Sequence, residues 1–323
     1  MINKLRIVLW NANGLARHAD EIRTHLRLQE IDIMLISETH FTKKSSLRMP
    51  HCSIYDTQHP DGTAHGGTAV IIKNNIKHHL HGTFNSEYLQ STSVAIDDWI
   101  GQLTIAAIYC PPKHAIKADQ FLSFYTTLGH RFIAGGDYNA KHSHWGSRIT
   151  TPKGRELYKA MQMANLNHLS TGEPTYWPSD KRKMPDLIDF AVVQRIPMNT
   201  LQAETSLDLS SDHSPVIITI TLRPVPNPRS PTLSTSHTNW EMFRILICQT
   251  LHLQVPLKTP QEIDDFTQHL TQTIQQAAWN ATPPPNTPFY KNLCAQPIKQ
   301  KIHTRGSYVK GGKPPDRHAT KQH

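Results

Sequence analysis

The front of the chain is built of short apolar runs, each stopping at a polar or glycine-rich turn. Residues 5–9 are apolar and end at Trp10-Asn11-Ala12-Asn13-Gly14, the pattern of a strand meeting a turn. Residues 19–30 carry Ile22, Leu26 and Gln29 on a helical period, and residues 31–37 read as a buried strand that stops at Glu38. Strand, helix and strand in such close succession predict an α/β layer arrangement. A further strand is expected over 66–72, and residues 88–97 and 103–109 predict an antiparallel pair about a turn at 99–102. Pro111 and Pro112 stop the second of these just after Tyr109. Helices are expected over 117–129, with Phe121, Phe124, Tyr125 and Leu128 on one face, and over 154–165, with Leu157, Ala160, Met161 and Ala164 inward. Residues 186–193 predict a strand carrying Asp189, and Ser211-Asp212-His213 opens a last strand over 215–222.

The densest chemistry lies in residues 132–146, FIAGGDYNAKHSHWG. An apolar run ends in Gly135-Gly136, and Asp137 and Asn139 follow two residues apart. Two residues is the strand period, which sends both side chains to one side and Tyr138 to the other. The plainer alternative is an Asx turn closing a strand. Asn11 and Asn13 repeat the same spacing.

Beyond residue 222 the pattern changes. Residues 223–238 hold four prolines among Ser, Thr and Asn, the composition of a linker. Thr259-Pro260-Gln261-Glu262 is a capping box, and the helix it opens carries Ile263, Phe266, Leu270, Ile274 and Ala278 on one stripe. A shorter helix over 240–251 completes an amphipathic pair over 239–281, which predicts a surface in search of a partner. Residues 282–323 are proline-rich, then basic and poor in apolar residues, and predict a disordered tail.

Charge follows these divisions. Residues 1–222 hold 22 Lys+Arg against 20 Asp+Glu, residues 223–290 hold 4 against 4, and residues 291–323 hold 8 against 1. The net +9 therefore sits almost wholly in the tail, where it predicts loose nucleic-acid contact, whereas grip in the front domain must come from a local patch. The four cysteines are far apart without CxxC spacing, which argues against a zinc module or disulfide framework and fits a reducing compartment. Among the 21 histidines, His78, His79 and His81 cluster without a zinc-ligand partner set and read as a solvated loop. The start MINKLRIVLW lacks the apolar core of a signal peptide and no run reaches membrane-spanning length, so a soluble intracellular chain without a membrane partner is expected.

The polar residues that interrupt or end strands are Asn11, Asn13, Glu38, Tyr109, Asp137, Asn139, Asp189, Asp212 and His213. Each has a structural explanation alone: a rim carboxylate, a core phenol, a turn former. Together they offer oxygens and one imidazole, with no cysteine, serine or lysine set as a nucleophile. That inventory suits a hard cation such as Mg²⁺ and phosphoryl chemistry.

The order of these residues resembles the endonuclease/exonuclease/phosphatase superfamily. The likeness is carried by WNANG (10–14), Ser37-Glu38-Thr39, Tyr109 before Pro111, GGDYNA (135–140), the Asp189 strand and SDHSPV (211–216). SETHFT (37–42), DGTAHGGTA (61–69), YCPPKH (109–114), DYNAKHSHWGS (137–147), STGEPTYWP (170–178) and PDLIDF (185–190) resemble, more closely, the apurinic-type endonuclease domain of jockey-clade non-LTR retrotransposons. That likeness spans residues 4–222, and the helices at 239–281 resemble the segment that follows in the same polyproteins.

The resemblance implies a four-layer α/β sandwich of two sheets flanked by helices, with an Mg²⁺ ion (or Mn²⁺) held by Glu38 with Asn11 and Asp212. It implies that Asp137 and Asn139 orient the attacking water and that Tyr109 contacts the scissile phosphate. Asp189 supports the site, and Asp212 holds His213, which stabilises phosphoryl charge. Asn13 stands where the family often has an aspartate. Lys141, His142 and His144 are candidates for phosphate contacts on double-stranded DNA, although His144-Trp145-Gly146 reads equally as a packed loop tip. The expected reaction nicks one DNA strand to leave 3′-hydroxyl and 5′-phosphate ends, with element RNA as a partner of the tail and the nucleus as the place of work. From Pro285 the likeness is lost, which predicts a frame shift near 290–300 and a product truncated before the reverse transcriptase. An inactive remnant or simple nucleic-acid binder is the alternative, and a phosphodiesterase of RNA or lipid the weaker one.

Overall fold

The computed structural model describes residues 4–45, 47–180, 182–222, 224–226, 233–251 and 258–283. These fall into two units, one up to residue 226 and one from residue 233. Most of the expected linker's middle and nearly all of the expected basic tail lie outside the described residues.

The first unit contains twelve strands among its described residues: β1 (Leu5–Asn11), β2 (Ile33–Ser37), β3 (Cys52–Thr57), β4 (Thr68–Lys73), β5 (His78–Asn85), β6 (Gln90–Asp98), β7 (Gly101–Tyr109), β8 (Phe132–Asp137), β9 (Asn167–Leu169), β10 (Asp189–Gln194), β11 (Leu201–Thr205) and β12 (Val216–Ile220). Three helices are interspersed, α1 (Ala19–Leu28), α2 (Ala118–Thr127) and α3 (Pro152–Met163). The strands form two six-stranded mixed sheets, ordered β11-β12-β1-β2-β4-β3 and β5-β6-β7-β8-β10-β9.

Side-chain alternation explains the layers. In β1, Leu5, Ile7 and Leu9 enter the cluster between the sheets, while Val8 and Trp10 face the other way, toward Ile22 and Leu26 of α1. In β8, Ile133 faces the inner cluster, whereas Phe132 and Ala134 pack with Phe121, Phe124 and Leu157 of α2 and α3. Strands buried on both faces read as continuous apolar runs. The result is helix, sheet, sheet, helix: the four-layer sandwich that the resemblance implied.

His78, His79 and His81 are not in a solvated loop; they lie on the edge strand β5. The strand has only intermediate and exposed positions and pairs with β6 on one side, with an irregularity between Leu80 and Gly82. Polar side chains and a bulge are common on strand edges, and they erase the apolar signal by which a strand is read.

The second unit holds α4 (Trp240–Thr250) and α5 (Pro260–Ala281). The capping box at Thr259 forms, with Glu262 N donating to Thr259 Oγ1 at 3.2 Å and Thr259 N donating to Glu262 Oε2 at 3.0 Å. On the expected stripe Ala278 is buried, but Ile263 and Ile274 are exposed.

Candidate active site

Five strand ends converge at one end of the sandwich. β1 and β2 run parallel, so Asn11 comes opposite Ser37. In the facing sheet β7 and β8 run parallel and align Tyr109 with Asp137, and antiparallel β10 sets Asp189 beside Asp137. Ser37 joins the two sheets: its Oγ donates to the Ile108 carbonyl at 2.7 Å and accepts from the Asp137 N–H at 3.1 Å. That approach needs Gly136, where a Cβ would stand 2.2 Å from the Ile108 carbonyl oxygen and 2.9 Å from Ser37 Oγ. Gly135 likewise leaves room for the Leu9 side chain from the other sheet.

Asp137 is the hub. Its Oδ2 accepts from Asn11 Nδ2 at 2.9 Å and Asn139 Nδ2 at 2.8 Å, and its Oδ1 accepts from the Asn139 N–H at 2.8 Å. The strand-period argument for Asp137 and Asn139 does not hold beyond the first residue. β8 ends at Asp137, and Asn139 has φ 45°, so an Asx turn folds its amide back onto the carboxylate. Asn11 and Asn13 repeat the device, with Asn13 at φ 45° and its N–H on Asn11 Oδ1 at 3.0 Å. Asn11 Nδ2 also reaches Glu38 Oε1 at 3.0 Å, linking the two acids.

His213 is buried, and its Nδ1 lies 2.7 Å from Asp189 Oδ2. The resemblance implies that Asp212 holds this imidazole; the structure pairs it with Asp189 instead. The chain bends at Ser211-Asp212, with the His213 N–H donating to Ser211 Oγ at 3.1 Å, and the imidazole meets a partner that arrives from β10. Asp189 is itself held by Thr175, whose Oγ1 accepts the Ile188 and Asp189 N–H groups at 3.1 and 3.0 Å. The Tyr176 ring lies 4.9 Å from that of His213, and Ser211 Oγ ties the segment to the Asn11 carbonyl at 2.7 Å. Spacing assigns no role to Ser37, His40, Thr175, Tyr176 or Ser211, although each lies in a stretch that carries the resemblance, because hydroxyls that bond distant backbone groups leave no periodic signal.

The charges are crowded. Burial pushes the Asp137 carboxyl well above its ordinary value, and Asp189 and Glu38 push it further against the opposing charge of His213. Burial also disfavours the His213 imidazolium, but Asp189, Asp137 and Asp212 outweigh it and raise the group to about 10. Burial would raise Glu38 too; hydrogen bonds from His40 and Asn11, the charge of His213 and a hydrogen bond from Tyr109 hold it below the usual range. Asp189 Oδ1 and Asp212 Oδ1 are buried without a hydrogen-bond partner. Unpartnered carboxylate oxygens among excess negative charge are what a bound divalent cation relieves, and the all-oxygen donor set of Glu38, Asp137, Asp189 and Asp212 suits a hard one. Asp137, Asp189 and His213 bring one ligand atom each to within 4.8 Å of one another.

The candidate phosphate contacts divide. Lys141 Nζ pairs with the buried Asp186 at 3.0 Å, and Trp145 is buried with its indole N–H on the Ala140 carbonyl at 3.2 Å. His142 stacks on Tyr158 at 4.6 Å, and exposed His144 lies 4.7 Å from the same ring. The loop tip is therefore packed through Trp145, with two imidazoles on its outer side. Among the described residues no helix is long and apolar enough to cross a membrane.

Known proteins share this chain's sequence and fold. The chain is 33% identical over 279 residues to the RNA-directed DNA polymerase from mobile element jockey of Drosophila melanogaster, covering 86% of this chain and 30% of the relative. It is 32% identical over 285 residues to the probable RNA-directed DNA polymerase from transposon BS of the same species, covering 88% of this chain and 32% of that one. The chain thus spans about a third of the length of these curated relatives. In fold it is similar to the endonuclease domain of TRAS1, a telomere-specific non-LTR retrotransposon, with a TM-score of 0.57 at 20% identity over 68% of this chain and 99% of that one. The AP endonuclease LMAP of Leishmania major is similar too, with a TM-score of 0.55 at 13% identity over 68% of this chain and 88% of that one. Residues 8–213 match the endonuclease/exonuclease/phosphatase family, and the chain belongs to that family.

Proposed function

We propose that this chain is an Mg²⁺-dependent DNA endonuclease that hydrolyses one phosphodiester to leave a 3′-hydroxyl and a 5′-phosphate. The observation that carries the reading is the convergence of Asp137, braced by two asparagine amides, with a His213–Asp189 pair at one strand-end cluster. Glu38 and Asp212 would hold the ion, with Asn11 bracing Glu38. Once bound, the ion would polarise a phosphoryl oxygen and offset charge there.

Asp137 orients the attacking water and takes its proton. Its raised proton affinity and its fixed carboxylate plane suit a general base. Asn139 keeps that plane in place. His213 has Nδ1 committed to Asp189, which leaves Nε2 to donate to a phosphoryl oxygen as charge builds on it. Tyr109, buried beside Glu38, flanks the phosphate. Water oxygen bonds to phosphorus, the P–O3′ bond breaks, and the departing O3′ is protonated to the 3′-hydroxyl. His142 and His144 lie outward of the loop that follows Asp137 and are the nearest candidates for backbone phosphates of double-stranded DNA. The jockey and BS relatives are named as RNA-directed DNA polymerases, and a 3′-hydroxyl at a nick is what such a polymerase extends.

Supercoiled plasmid tests the reading. Conversion to open circles in Mg²⁺ is expected, with none in EDTA and none with Asp137→Ala. The nicks should prime a DNA polymerase without prior phosphatase treatment. Nicking that persists in the Ala variant contradicts the assignment.

A further inference from the structure

Beside the strand-end cluster, the loop between β3 and β4 gathers a second group of ligating side chains. His59, Asp61 and His65 present one ligand atom each within 4.8 Å of one another. His59 Nδ1 lies 2.8 Å from Asp61 Oδ1, and His65 Nε2 lies 3.5 Å from Asp61 Oδ2. The two imidazole rings approach to 3.8 Å between centroids. We propose that His59, Asp61 and His65 form a metal site of their own for a divalent transition ion of the zinc class, clasping residues 58–67 at the rim of the active site.

Local structure supports this in two ways. Thr63 holds the carboxylate from outside: its N–H and Oγ1 meet Asp61 Oδ1 at 2.8 and 2.9 Å. The same hydroxyl lies 2.5 Å from His65 Nδ1. With the Thr63 proton directed to Asp61, His65 Nδ1–H donates to Thr63, which fixes the ring and aims Nε2 at Asp61 Oδ2. Protonated, the ring forms an ion pair with Asp61 across that gap; with Nε2 bare, the same two atoms can ligate one divalent ion. Tetrahedral zinc with bonds of about 2.0–2.1 Å separates its ligands by roughly 3.3 Å, and the 3.5 Å Nε2–Oδ2 distance is close to that spacing.

The donor set selects the ion. Two imidazole nitrogens and one carboxylate suit zinc and its neighbours, whereas Mg²⁺ prefers oxygen throughout. Three protein ligands leave further positions to water. The position gives the clasp a task. The Gly62 N–H donates to the His59 carbonyl at 2.9 Å to close the turn, and the His40 N–H donates to the Gly66 carbonyl at 2.9 Å. A Cβ on Gly66 would lie 3.1 Å from His59 Cδ2 and 3.3 Å from Tyr109 Cε1, so this loop wedges between the histidine and the active-site phenol. An ion on the histidines fixes the wall against which Tyr109 rests.

The test is a binding measurement on the full chain, independent of nuclease activity. Zn²⁺ affinity is read by competition with a chromogenic chelator, and Co²⁺ substitution by its visible ligand-field absorption. One tight site is expected in the wild-type chain. Asp61→Asn and His65→Ala, at exposed positions, should weaken it by more than about 100-fold, and Thr63→Ala by about 10-fold. His213→Ala should leave it within about threefold, and far-UV circular dichroism should be unchanged in the loop variants. Equal Zn²⁺ binding by wild type, Asp61→Asn and His65→Ala overturns the proposal, as does loss of the tight site in His213→Ala.

Discussion

Two groups of carboxylate and imidazole side chains stand in opposite settings in this molecule. Asp137, Asp189 and His213 are each almost fully buried, and they sit on strand ends braced by Ser37, Thr175 and asparagine amides. His59, Asp61 and His65 lie on a loop, with the Asp61 and His65 side chains about half exposed and Thr63 as their brace. Burial makes each charge of the inner group depend on its neighbours, so changes there reach the fold as well as the chemistry. Water screens the outer group, which confines its role to local binding. One residue inventory thus yields a strongly coupled centre and a separable clasp.

The contrast is broken most readily at the centre. His213→Ala is expected to lower nicking turnover about 10³-fold while DNA affinity changes by less than about threefold, as single-turnover kinetics and fluorescence anisotropy would show. Gly136→Ala drives a Cβ into the Ile108 carbonyl at φ 149°. It should destabilise the fold by about 3 kcal/mol or more, read from urea denaturation.

Stability of the metal-free protein should depend on pH through the same centre. Asp137 binds its proton more tightly in the fold than at its ordinary 3.8, so its contribution is present at low pH and is lost as pH rises above that value. His213 is raised from 6.5 to about 10, a contribution complete below 6.5 and lost as pH climbs through 10. Both slopes have one sign, and melting temperature in EDTA should fall from pH 7 to 10, while added Mg²⁺ restores it. Ser37→Ala orphans the buried Asp137 N–H and should cost about 1–3 kcal/mol. The smallest effect belongs to the rim: His65→Ala should change Mg²⁺-supported turnover, without zinc, by less than about threefold.

The layers were legible because buried strands and amphipathic helices leave apolar runs at two distinct periods, as in residues 5–9 and 117–129. The strand β5 was not, since its histidines and glycine hide an edge that pairs on one side. At the site, the polar residues ending strands could be named, because a carboxylate after an apolar run stands out. Their pairing could not. Asp189 and His213 are 24 residues apart, and nothing local says that β10 brings one to the other. Asn139 reaches Asp137 through a left-handed residue, a detail that the two-residue spacing leaves open between strand and turn. The rim cluster shows no familiar ligand spacing, and its members meet through the turn at Gly62.

The most direct test is a double-mutant cycle on nicking turnover with Asp189→Asn and His213→Ala. If Asp189 acts through the imidazole, the double variant should be no slower than His213→Ala alone, within about threefold, while Asp212→Asn combined with His213→Ala should be slower than either. Multiplicative losses for Asp189→Asn with His213→Ala, each as large as in the wild-type background, would contradict the pairing at the heart of the site.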